Sequence, residues 1–347
     1  MGHRSPLKRS ALAAILCLVF ASVESDADPI ADFYNGRTVT IVVGSTPGGT
    51  YDFYARTVAR HLGRHIPGEP AVIVQNLAGA GSYLAAQRVY SIAAQDGLTI
   101  GSIGAALPYQ SIFDPQAPAL DVKRINWLAS LSPYHMFMLV RSDVPVHSVK
   151  DLAEHETIQA TIAPGQANSL IVAVVNEVFG ARIRGVAGHK SMNEAMLALQ
   201  RGEVNGYPSM PAEALQRAFL KPLQERQIRL ILQFGPEPLP DYKDIPWAMG
   251  LAQNEDDKLL IELATGFLNT GYVYMMGPGV PKERVNAMRK SIMAALNDPV
   301  LLADASKQTL NIAPIDGEKI AEMLARAYAL PPDVIKRMQR VFAASSK

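Results

Sequence analysis

The chain has 347 residues, of which 48% are hydrophobic and 19% charged, with 25 Gly and 24 Pro. That is folded globular composition, long enough for more than one domain, and it excludes disordered, coiled-coil and collagen-like classes. Lys and Arg number 33 against 32 Asp and Glu, so there is no basic excess to neutralise phosphates, and no nucleic acid is expected as a partner.

At the N-terminus, His3, Arg4, Lys8 and Arg9 precede an uncharged stretch of 12 residues from Ala11 to Ser22. A basic region followed by an apolar run too short to span a bilayer reads as a secretory signal peptide, residues 1–27, with small residues at Ser25-Asp26-Ala27 for cleavage. Its removal takes away three basic and two acidic side chains together with Cys17, the only cysteine, and leaves 30 charges of each sign. Disulfides, thiolate metal sites and cysteine nucleophiles are then excluded. Leu16 directly before Cys17 argues against a lipid anchor, and the expected product is a soluble, periplasmic protein.

From Arg37 the chain alternates strand-like and helix-like segments, the pattern of an α/β protein with a largely parallel sheet. Thr38 to Val43 (TVTIVV) is β-branched and uncharged, as a strand buried on both faces should be. After the turn Gly44 to Thr50, Ala55, Val58, Ala59 and Leu62 fall at i, i+3, i+4 and i+7 of a helix. Ala71 to Val74 predicts a second strand, Asn76 to Gly81 a turn, Ser82 an N-cap and Tyr83 to Ala93 a helix. Asp96-Gly97 turns into a third strand, Leu98 to Ile103, followed by the small-residue loop Gly104 to Ala106.

Two strand-like stretches between Trp127 and Val140 lead into a second series. It comprises strand Thr157 to Ile162, helix Leu170 to Phe179, strand Ile183 to Val186, a helix from Met192 that Gly202 stops, and strands Val204 to Tyr207 and Ile228 to Phe234. A proline-rich connection, Gly235 to Pro246, precedes helix Asp256 to Leu268 and strand Gly271 to Met276. Pro281 opens a helix running to Asn297, and helices near Glu318 to Ala327 and Asp333 to Ala343 close the chain.

Two glycine-rich turns invite a nucleotide reading and fail on detail. Gly44 to Thr50 lacks the Gly-Lys-Ser/Thr ending of a P-loop, and Leu84 stands where a dinucleotide fingerprint has its third Gly. What the turns offer is backbone N–H at the start of a helix, where unpaired donors and the positive end of the dipole suit a carboxylate. The third loop, Ser102 to Ala106, joins them. No Gly-x-Ser-x-Gly elbow occurs in a strand-turn-helix setting. His61 and His65, at i and i+4, have no zincin Glu between them, so no metal and no cofactor are expected. His189, in a strand-to-helix turn beside Lys190 and Ser191, reads equally as a solvated loop residue and as a ligand contact.

Several segments belong together. Phe33-Tyr34-Asn35-Gly36-Arg37 leads into the first strand, and Pro47-Gly48-Gly49-Thr50-Tyr51-Asp52 with Ala55-Arg56 follows it. Val74-Gln75-Asn76 with Gly79-Ala80-Gly81, and Asp96 to Gly101, come next. Ala187-Gly188 through Ala195-Met196 to Arg201-Gly202-Glu203-Val204-Asn205-Gly206, then Gly277 to Pro281 and Leu296 to Pro299, complete the set. It resembles the extracytoplasmic solute receptors of tripartite tricarboxylate transporters, the Bug-type family, over nearly the whole mature chain.

The resemblance implies a two-domain, Venus-flytrap periplasmic binding protein that closes on a small organic carboxylate and delivers it to a two-component membrane carrier, without catalysis. Residues 28–135 and 270–347 would form domain 1 and 136–269 domain 2, the whole acting as a monomer. Gly48, Gly49, Thr50 and Asp52 of the first turn, and Gly79, Gly81 and Ser82 of the second, would hold one carboxylate, with Ser102 in the third loop. Domain 2 would bring Gln166, Asn168, Ser169, Lys190 and Ser191, with Asn205 at the neck of the cleft. His189-Lys190 and Asn205 depart from the family pattern and make that end of the pocket less negative. The rival readings are a ligand-sensing receptor for a membrane sensor kinase and an exported hydrolase using His189 with a nearby Ser.

Overall fold

Two β-sheets, each flanked by helices, divide the chain. The computed structural model describes residues 28–116, 120–162, 166–189 and 191–345; the predicted signal peptide and Lys190 lie outside the described residues. The chain lays down β1 (Thr38–Val43), β2 (Ala71–Asn76), β3 (Thr99–Ile103) and β4 (Asn126–Ser130). It then crosses to form β5 (Met136–Arg141), β6 (Thr157–Ala160), β7 (Ile183–Val186), β8 (Gly206–Pro211) and β9 (Ile228–Phe234). It returns for β10 (Val273–Met276) and the short β11 (Ile315–Asp316). The sheet orders are β11-β4-β10-β3-β1-β2 and β7-β6-β8-β5-β9.

The expectation of a largely parallel sheet needs correction. β1 runs parallel to β2 and β3, and β6 parallel to β7 and β8. β10 is antiparallel to β3 and β4, β11 to β4, and β5 to β8 and β9. The antiparallel pairings involve the strands at the two crossings between sheets, β4 to β5 and β9 to β10. A strand that enters a sheet from the other one arrives without the helical crossover that makes neighbours parallel.

β1 carries the first sheet because its β-branched side chains find partners on both faces: Val39, Ile41, Val42 and Val43 are all buried. β2 shows alternating exposure, as an edge strand with one solvated face does. Helix Thr50–Leu62 buries Tyr54, Ala55, Val58 and Leu62 against this sheet, where each fully buried large aliphatic side chain contributes about 1.5–3 kcal/mol. Its far end is fastened to helix Pro299–Lys307, which the sequence reading missed. His61 Nε2 lies 2.8 Å from Asp304, and His65 Nε2 lies 2.8 Å from Asp298, each beside an arginine, Arg60 or Arg64. The i, i+4 histidine pair therefore docks one helix on another.

On the second sheet, Phe137, Leu139 and Leu230 pack with Ala195, Met196 and Leu199 of helix Met192–Gln200. A third apolar cluster runs across both sheets, through Val42, Ile103 and Met275 on one and Met138, Val140 and Leu232 on the other. Helix Pro332–Ser345 reaches between the halves: Gln339 donates to the Ile112 carbonyl, while Arg337 pairs with Glu177 and Asp257, both at 2.8 Å.

Candidate ligand-binding cleft

A cavity of about 350 Å³ opens between the sheets. One wall is Thr50 and Tyr51, at the start of the helix that follows β1, with Tyr272 just before β10. Across from them stand Gln166, Ala167 and Asn168 at the start of helix Ala167–Phe179, Met192 at the start of the next, and Tyr207, Ser209, Pro211, Glu213 and Arg217 on and after β8. Tyr134 and Met136 sit at the first crossing. Two larger concavities, of about 620 and 520 Å³, lie outside the cleft against helices Pro332–Ser345 and Gly317–Tyr328.

The first turn is held by Asp52. Its buried carboxylate accepts from the Gly48 N–H (2.9 Å), Arg56 Nε (2.9 Å) and Asn76 Nδ2 (2.9 Å), tying the turn to the end of β2. Burial alone would raise the Asp52 carboxyl, but these donors hold it below the usual carboxylate range. Asp52 is thereby occupied with the turn, and so are Gly48 and Gly49, whose N–H groups donate to Asp52 and to the Thr46 carbonyl. Thr50 and Tyr51, the first residues of the helix, present the helix N-terminus to the cavity.

The second turn is a run of left-handed backbone through Ala80, Gly81 and Ser82, with φ of 44°, 62° and 78°. Ser82 does not cap helix Tyr83–Gln87 as predicted; its hydroxyl donates to the Gly44 carbonyl (2.9 Å) and joins the two turns. A Cβ on Gly44 would meet Ser82 Cβ and Oγ at 2.4 Å, so only glycine allows this approach. Gly79, Gly81 and Ser82 are not part of the cavity wall, and Ser82 braces the first turn from outside it. Ser102 is fully buried, with its carbonyl accepting from the Gly44 N–H (2.9 Å). It too supports the turn from beneath.

On the other side, Gln166 and Asn168 reach the wall as predicted, and Ser191 caps the helix that begins with Met192, its hydroxyl accepting from the Glu194 N–H. Ser169 faces the outer concavity beside helix Pro332–Ser345 instead. Asn205 is spent on the sheet, its Oδ1 accepting from the Ile158 N–H and its own N–H donating to the Ile158 carbonyl, both at 2.7 Å. The His189 ring lies 3.0 Å from the Thr161 carbonyl and off the cavity wall.

The sequence reading missed most of the aromatic and charged lining. Tyr207, Ser209 and Pro211 share one face of β8 by the two-residue period of a strand, and Glu213 and Arg217 one face of the following helical turns at i, i+4. Tyr51 accepts from the Ala105 N–H at 3.2 Å, and its ring lies 5.0 Å from that of Tyr272. Tyr272 holds a φ of 55°, unusual for a bulky side chain, at the second crossing. Burial raises the hydroxyls of Tyr51, Tyr134 and Tyr272 above the ordinary tyrosine value, keeping them neutral hydrogen-bond donors at physiological pH.

A two-sheet α/β molecule with its cavity at the crossings has the fold of two-domain periplasmic binding proteins. Residues 54–220 match the tripartite tricarboxylate transporter family receptor model. Over 346 residues the chain is 24% identical to the UPF0065 protein in gbd 5'region of Cupriavidus necator, covering 97% of this chain and 98% of that one. It is 37% identical to the protein BugT of Bordetella pertussis over 89 residues, 26% of each chain. The fold is similar to a TctC solute-binding protein from Polaromonas, with a TM-score of 0.67 at 16% identity over 90% of this chain and 99% of that one. It is also similar to MatC from Rhodopseudomonas palustris with bound malate (TM-score 0.59, 19% identity, 88% and 99% covered). A further R. palustris protein, with adipate, scores 0.63 at 17% identity, 89% and 97% covered. In sequence and fold the chain is thus similar to the tripartite tricarboxylate transporter receptor family. Binding proteins of this family are periplasmic, and no helix among the described residues is long and apolar enough to cross a membrane.

Proposed function

We propose that this protein is an exported solute-binding protein that captures a small organic carboxylate in the cleft between its sheets and hands it to a two-component membrane carrier. It catalyses no reaction and acts as a monomer. The observation that carries the reading is the pairing, across one 350 Å³ cavity, of the helix N-terminus at Thr50 and Tyr51 with the cation Arg217. Both attract an anion, and they stand on opposite halves of the chain. The malate and adipate held by two structural neighbours are small acids of the kind such a cavity would take.

In this reading residues 28–135 and 270–347 form one body and 136–269 the other. The ligand draws them together by touching both, a shift between open and closed populations. Arg337, fixed to Glu177 and Asp257, makes helix Pro332–Ser345 the strap at the hinge side.

A thermal-shift screen of mono-, di- and tricarboxylates, aromatic ones included, tests the reading. At a hundred times Kd a ligand adds about 2.7 kcal/mol to the stability of the folded state, so a bound acid raises Tm by several degrees. If no acid raises Tm while neutral sugars do, the reading is wrong. Carrier subunits encoded beside the gene support delivery to a transporter; a neighbouring sensor and regulator pair would overturn that half.

A further inference from the structure

The cleft contains a charge that a plain carboxylate ligand does not explain. Glu213 lines the same cavity as Thr50 and Arg217, and its Oε2 is buried with no hydrogen-bond partner among the described residues. Arg217, one helical turn further on, makes no ion pair with it within 4.0 Å. Around it are tyrosine rings: Tyr51, Tyr134 and Tyr272 line the same cavity, the Tyr272 centroid lying 5.0 Å from Tyr51, 5.9 Å from Tyr134 and 3.9 Å from Tyr54.

A buried carboxylate oxygen without a donor is costly, and a second negative group brought by the ligand would make it more so. A cationic nitrogen removes the cost, because it pairs with the carboxylate and is attracted to the aromatic faces. Resting on the carboxylate reading above, we propose that Glu213 with Tyr51, Tyr134 and Tyr272 forms a subsite for a cationic nitrogen. The natural ligand is then a carboxylate that also carries an ammonium group, its negative end at Thr50 and Arg217 and its positive end at Glu213. Burial, opposed by its own amide and by Arg217, holds the Glu213 carboxyl above its ordinary range.

Calorimetric titration of the mature protein at pH 7 with matched pairs tests the subsite: adipate against 2-aminoadipate, and butyrate against 4-aminobutyrate. The amine-bearing member of at least one pair is expected to bind tenfold or more tightly, about 1.4 kcal/mol. Glu213→Gln should reduce that preference to under about threefold, weakening the amine-bearing acid while the nitrogen-free acid, relieved of a buried like charge, binds at least as tightly as to the wild type. Glu213→Asp, which keeps the charge, should retain part of the preference and guards against a folding defect in the amide variant. If the nitrogen-free acids bind as tightly as their amines, or the preference survives Glu213→Gln, the subsite is overturned and the carboxylate reading stands. Failure of every member of both pairs to bind would overturn both.

Discussion

On the first sheet's side of the cleft, Asp52 takes three donors and Ser82 holds the Gly44 carbonyl. On the second sheet's side, Glu213 Oε2 has no hydrogen-bond partner, and Arg217 makes neither an ion pair nor a side-chain hydrogen bond, among the described residues. The first wall is a frame whose polar side chains are consumed in fixing the backbone, so that what it offers a ligand is main chain and Tyr51. The second wall leaves Glu213 Oε2 and the Arg217 guanidinium without a hydrogen-bond or ion-pair partner among the described residues. In the proposed reading, shape and a fixed dipole come from one side, and selectivity among acids from the other.

The largest expected effect comes from breaking the frame. Asp52→Ala takes the shared acceptor from the Gly48 N–H, Arg56 and Asn76 Nδ2 and leaves Asn76 only the Ser45 carbonyl, at about 1–3 kcal/mol. Thermal denaturation should show Tm lowered by several degrees, and calorimetry should show binding lost even where the variant is fully folded. An Asp52→Ala protein that binds normally would mean that the turn needs no brace.

Arg217→Ala tests the opposite wall. The side chain is exposed and without an ion pair among the described residues, so the change should leave Tm nearly untouched while weakening carboxylate binding by about tenfold. The two variants together separate a structural charge from a ligand-facing one.

The smallest effects are in the pH dependence, where the carboxylates bound on the first sheet's side and Glu213 have opposite signs. Asp52, Asp298 and Asp304 have carboxyls held below their ordinary value of 3.8, Asp52 by donors that overcome its burial, Asp298 first by the Val300 N–H and then by Arg64 and His65, and Asp304 by His61 and Arg60. Their stabilisation is complete above pH 3.8 and is lost as pH falls below it. Glu213 is shifted the other way, so the protein loses stability as pH rises from the ordinary 4.5 through the raised folded value. Tm measured against pH should show both limbs, and Glu213→Gln should flatten only the upper one.

The frame was legible in the sequence because it rests on local signals. A β-branched run, Gly-rich turns and an apolar i, i+3, i+4, i+7 stripe each carry their meaning within a few residues, and β1 with helix Thr50–Leu62 formed where they pointed. The predicted polar residues were harder to place. Asp52 and Asn205 sit in the right neighbourhoods but turn to the backbone, because a short polar side chain beside a strand end satisfies main-chain groups before it reaches solvent. Glu213 and Arg217 were missed because they follow β8 in a stretch that no periodic pattern marked, and the tyrosines because Tyr51, Tyr134, Tyr207 and Tyr272 come from four distant segments that only the two crossings bring together. The antiparallel strands were equally hidden, since direction is set by which sheet a strand has come from.

The central claim is that one ligand is gripped by both walls at once. The most direct measurement is a crystal structure of the protein with the acid that raises Tm most. Ligand density is expected in the cavity between the sheets, with a carboxylate at the Thr50 and Tyr51 amides or at Arg217 and contacts to both halves of the chain. Density confined to one wall, or in either outer concavity against helices Pro332–Ser345 and Gly317–Tyr328, would contradict it.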